Sequence, residues 1–170
     1  MNHNKKFRIL AVSLSTEGFG YALTEEDSTL VDYGNKVFPK EKNAHSLTEI
    51  DKLIALFQPN VLVLHNVDGK GTYRALRIKE LHRDVVTMAE QQMLKVAQIS
   101  NSELRTMLLD DPRGTKHAMA VCIARQFPDD LASRIPPKRK PWTSQQSRMD
   151  IFDAVGLAVV FRLKSAKRGH

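Results

Sequence analysis

The stretch Ile9-Leu10-Ala11-Val12-Ser13-Leu14-Ser15-Thr16-Glu17-Gly18-Phe19-Gly20-Tyr21 decides the fold. From Ile9 to Leu14 every residue except Ser13 is apolar, the composition of a central strand buried on both faces. A first strand is therefore predicted over residues 7–14. Glu17-Gly18-Phe19-Gly20 supplies a turn, and a second strand begins at Tyr21-Ala22-Leu23. Glu25-Glu26-Asp27-Ser28 makes the next turn. A third strand is predicted from Thr29 to Phe38, ended by Pro39. Strands on such short links predict an antiparallel meander.

Beyond the meander the pattern changes period. Leu47, Ile50, Leu53, Ile54 and Phe57 recur at helical spacing, predicting a helix from Ala44 to Phe57 that Gln58-Pro59-Asn60 stops. Val61-Leu62-Val63-Leu64 reads as a short buried strand, parallel to its neighbour because a helix precedes it. A long helix is predicted from Thr72 to Gln92 and a fifth strand from Leu94 to Ile99. A short helix capped by Asn101 or Ser102 then runs to Leu109, and another spans Thr115 to Phe127. Ile135 to Trp142 is proline-rich and basic, hence a loop. A last helix from Ser147 to Lys164 is nearly all apolar between Ala154 and Phe161, so it is buried. This order predicts an α/β fold with a mixed five-stranded sheet, in a single domain over residues 1–170.

Composition narrows the function. Lys and Arg total 26 against 19 Asp and Glu, and a net charge of +7 favours a polyanionic partner, above all nucleic acid. No apolar run reaches the roughly 18–20 residues that span a bilayer, so no membrane partner is expected. Met1 to Lys6 leads into a strand without an apolar leader segment, which argues against secretion. One cysteine, Cys122, allows no intramolecular disulfide and no cysteine-based zinc cluster, and a cytoplasmic setting is expected.

Three segments then carry a family resemblance. They are Ile9 to Ser13 with the Gly18-Phe19-Gly20-Tyr21 turn, Gln58-Pro59-Asn60-Val61-Leu62-Val63-Leu64-His65, and Met149-Asp150-Ile151-Phe152-Asp153-Ala154-Val155-Gly156-Leu157-Ala158. In this order they resemble the RuvC-like branch of the RNase H superfamily, the Holliday-junction resolvases and related nucleases. The resemblance implies an RNase H-like sheet with helices on both faces, and a metal-dependent endodeoxyribonuclease using two Mg²⁺ ions. It also implies branched or duplex DNA as partner and a homodimer, for which the Thr72–Gln92 helix is the candidate interface.

The same resemblance places an Asp where Ser13 stands and a Glu where His65 stands. Two further carboxylates, or a His and an Asp, fall where this chain has Asp150 and Asp153. The catalytic positions are therefore Ser13, His65, Asp150 and Asp153, with half the expected acids missing. Bridging carboxylate neutralises a two-metal site, and Mg²⁺ prefers hard, charged oxygen. A hydroxyl brings no charge, and imidazole suits Mn²⁺ or Zn²⁺ better. Mg²⁺-dependent cleavage is accordingly expected to be lost or weak. Two alternatives stay open: an altered endonuclease holding Mg²⁺ or Mn²⁺ on His65, Asp150 and Asp153, with Glu17 as a substitute acid, or a structural, protein-binding subunit. Asp153 on an apolar helix needs a partner, for which His65 is the candidate. Phosphate contacts are expected from Lys70, Arg74 and Arg77 around the long helix, from Lys116, and from Lys138-Arg139-Lys140 beside the stackable ring of Trp142.

Overall fold

Apolar residues on alternate positions of the first strand face two different cores. In the computed structural model, which describes residues 5–67, 75–138 and 148–168, Leu10, Val12 and Leu14 enter one cluster while Ile9 and Ala11 enter another. The strand, β1 (Arg8–Leu14), lies at the centre of a five-stranded sheet. It pairs antiparallel with β2 (Gly18–Glu25), which pairs antiparallel with β3 (Leu30–Val37), so the predicted meander forms, but Gly18, Phe19 and Gly20 belong to β2 and not to the turn, because their backbones pair with β1 and β3. On its other side β1 pairs parallel with β4 (Val61–His65), and β4 pairs parallel with β5 (Lys95–Ile99). The order across the sheet is β3-β2-β1-β4-β5.

Helices cover both faces. α1 (Lys42–Phe57) and α2 (Leu76–Gln91) bury Ile50, Leu53, Ile54, Ile78, Leu81, Val85 and Ala89 against Leu10, Val12, Leu62 and Leu64. On the opposite face α3 (Asn101–Leu109), α4 (Lys116–Gln126) and α6 (Met149–Arg168) pack on Ile9, Ala11, Ala22, Val61 and Val63. A short α5 (Pro128–Leu131) and a single 3₁₀ turn, Ala132–Arg134, lie between α4 and α6. Among the described residues no helix is long and apolar enough to cross a membrane.

Several boundaries differ from the sequence expectation for local reasons. α1 ends where predicted: Gln58 takes a left-handed conformation, its N–H bonds the carbonyl of Ile54, and Pro59 follows. Asn60 then fixes the β1–β4 register, accepting the Arg8 N–H on Oδ1 at 2.8 Å and donating its own N–H to the Arg8 carbonyl at 2.9 Å. α2 starts at Leu76, later than expected, because Ala75 is extended (ψ 145°). The cap of α3 is Ser100 rather than Asn101 or Ser102. Its hydroxyl accepts the Glu103 N–H while Glu103 returns a bond to the Ser100 N–H, a reciprocal capping box. α5 was not foreseen; Pro128 at its first position ends α4 and starts the new turn.

One titratable core group gives a test of this packing. The Tyr21 hydroxyl donates to Asp32 Oδ2 at 3.2 Å, and burial, reinforced by the Asp32 charge, pushes its pKa up to about 12. A folded pKa above the unfolded value near 10 contributes stability below pH 10 that is lost as pH rises towards 12. Urea unfolding at pH 9 and pH 11.5 should therefore show the parent losing more stability than Tyr21→Phe, by on the order of 1 kcal/mol once solvent screening is allowed for. Equal losses in the two proteins would contradict this account.

Candidate functional site

Sheet geometry brings two of the expected side chains together without help from any loop. Ser13 has the same parity as Ile9 and Ala11 on β1, and His65 the same parity as Val61 and Val63 on β4. Side chains alternate along a strand, so both belong to the face that α6 covers. The strands are parallel neighbours, so both residues sit at carboxyl ends, where ligand sites of open α/β sheets gather. Ser13 Oγ lies 3.3 Å from His65 Nε2, and both residues are buried, at 3% and 7% exposure. Ser13 donates if Nε2 is bare and accepts if Nε2 is protonated.

A second histidine, which the sequence did not single out, supports the first. His82 on α2 is buried and its Nε2 donates to the His65 carbonyl at 3.0 Å. A carbonyl only accepts, so this nitrogen carries a proton. Leu14, Leu64, His65, Val67, Ile78 and His82 line a cavity of about 10 Å³ beside this contact, at the lower limit of room for one water.

The acids of α6 arrive on the same face. Ser13 pairs with Gly20 in the β1–β2 register, and the backbone of Asp150 rests directly on Gly20. A Cβ at Gly20 would overlap the Asp150 carbonyl and lie 2.7 Å from the Asp150 Cβ. Gly20 is thus the seat of the first turn of α6, next to Ser13. Asp150 and Asp153 are both buried there. Asp153 finds a partner that the sequence did not suggest: Lys116, with Nζ 3.4 Å from Oδ2. Lys116 is the first residue of α4, placed by its neighbour Thr115, whose hydroxyl caps the helix by accepting the Ala118 N–H at 3.0 Å. Nothing in the sequence marks this pair, since the partners are distant along the chain and meet only when α4 packs on α6.

The remaining expected residues fall in different places. Lys70, Arg74, Arg139, Lys140 and Trp142 lie outside the described residues. Lys138 is exposed. Arg77 has a structural duty that its sequence context did not reveal. Its guanidinium donates to Asn43 Oδ1 at 2.7 Å and to the Thr16 carbonyl at 2.8 Å, tying α2 to the start of α1 and to the β1–β2 turn. Glu17, considered as a substitute acid, is 57% exposed and pairs at 3.7 Å with Lys42 instead of entering the buried site.

These residues fit a divalent metal poorly. Among the described residues no three of His, Cys, Asp and Glu gather into a group able to hold an ion. The strand-end donors are a neutral hydroxyl and an imidazole bonded to each other, and Asp153 already faces an ammonium. A two-metal site needs the reverse, charged oxygen unshared with cations.

Comparison with solved structures places the architecture. Thermus thermophilus RuvC superposes with a TM-score of 0.66 at 10% identity, covering 95% of this chain and 96% of that one. T. thermophilus RuvC in complex with a Holliday junction substrate gives 0.64 at 11% identity, over 95% and 96%. The yeast mitochondrial Holliday junction resolvase gives 0.62 at 12% identity, over 95% and 80%. The fold is RNase H-like. No protein-family model matches the chain, and no curated protein matches it significantly in sequence.

The contact at Gly20 is directly testable. Gly20→Ala should lift the first turn of α6 off β2 and cost about 1–3 kcal/mol, as overpacking of a filled site does. A chemical unfolding curve superimposable on that of the parent would show that α6 does not rest there.

Proposed function

We propose that this chain is a nucleic-acid-binding protein built on the RuvC scaffold that holds branched or duplex DNA without cutting it. One observation carries the loss of cleavage: the bond between Ser13 Oγ and His65 Nε2. At these two strand ends the resemblance expects two carboxylates. A hydroxyl and a ring nitrogen that bond each other bring no negative charge with which to hold a pair of cations. Without metal there is no ion to activate a water or to stabilise a leaving oxygen.

Retention of binding is supported by charge and by shape. The excess of basic over acidic residues, +7 in all, suits a phosphate backbone. One structure of the same fold, aligned over 95% of this chain, was solved with a Holliday junction substrate. Lys138 is exposed and can reach phosphate. Such contacts fix position on the nucleic acid without reading its sequence.

Electrophoretic shift assays on a four-way junction, a duplex and a single strand, at graded salt and with EDTA present, test the proposal. The expected result is binding to junction and duplex that weakens linearly in log–log form with salt, by about 0.9 per phosphate contact. Absence of binding to all three near 100 mM salt would overturn it.

A further inference from the structure

Lys116 stands where helix electrostatics disfavour it. The amino end of a helix carries partial positive charge and favours anions, yet the first residue of α4 is a lysine. Its ammonium is turned to Asp153, whose side chain is only 7% exposed. A carboxylate so far removed from water needs a cation or a set of donors. Asp153 sits one helical turn from Asp150, on the helix that rests against the Ser13 strand end. In a metal-dependent relative of this fold, positive charge at such a site would come from bound ions.

We infer that Lys116 is the resident cation of this site, an ammonium at its rim that neutralises Asp153 and keeps divalent metal out. The inference rests on the proposed function only in treating the acids of α6 as the site, and its test uses no nucleic acid. Lys116 also explains why two changes at the strand ends do not leave a half-formed metal site. One acid of the retained pair is already matched, and an arriving divalent ion would meet an ammonium 3.4 Å from the oxygen it needs.

The test is Mn²⁺ titration calorimetry on two variants of the full chain: Ser13→Asp/His65→Glu, and the same chain with Lys116→Met added. The inference expects weak Mn²⁺ binding in the first and at least tenfold tighter binding in the second. Equal affinity in the two would overturn it. Thermal unfolding keeps the test decisive if the acid-rich variants fail to fold. Lys116→Met alone should lower Tm by about 2–4 °C, since it leaves a buried carboxylate without its cation. Lys116→Met/Asp153→Asn should regain most of that loss, because it removes both charges. A paired variant as unstable as Lys116→Met alone would show that Lys116 supports the fold by packing and not by charge.

Discussion

Two carboxylates buried at the start of a helix, Asp150 in the first turn of α6 and Asp153 one turn on, set the terms for the rest of this structure. A carboxylate removed from water is costly unless a cation or hydrogen-bond donors take the place of solvent. Metal-dependent nucleases meet that need with divalent ions held among several acids. In this chain Asp153 meets it with an ammonium at 3.4 Å. Ser13 and His65 at the strand ends bring no further negative charge, and one lysine faces one of the two acids.

That outcome depends on the sheet. Parallel pairing of β1 with β4 puts Ser13 and His65 at neighbouring carboxyl ends with their side chains on one face. The Asn60 bridge to Arg8 holds that register, and the His82 bond to the His65 carbonyl holds the strand end. Gly20, opposite Ser13, has no side chain, so the backbone of α6 can approach. Arg77 and Asn43 anchor the β1–β2 turn from the other face.

Much of this was legible in the sequence where local chemistry decides. The apolar run Ile9–Leu14, the periodicity of α1 and the Gln58-Pro59 stop each act over a few residues. The three segments that carry the family resemblance lie on β1–β2, β4 and α6, whose ends converge. Other features needed tertiary information. Lys116 reads as one more basic residue at a helix start, and only the packing of α4 on α6 brings it to Asp153. His82 reads as a helix residue until α2 lies across the end of β4. Ser100 was a legible cap that Asn101 and Ser102 obscured, because adjacent polar residues compete for the same assignment and the Glu three positions on decides it.

The most direct test of the central claim is single-turnover incubation of the chain, in excess, with a labelled four-way junction and a labelled duplex in Mg²⁺ and, separately, Mn²⁺. The account predicts no incision in either metal over hours, with the DNA recovered whole. Incision that disappears in Asp153→Asn would contradict it, because the α6 acids would then be holding a metal in spite of Ser13, His65 and Lys116.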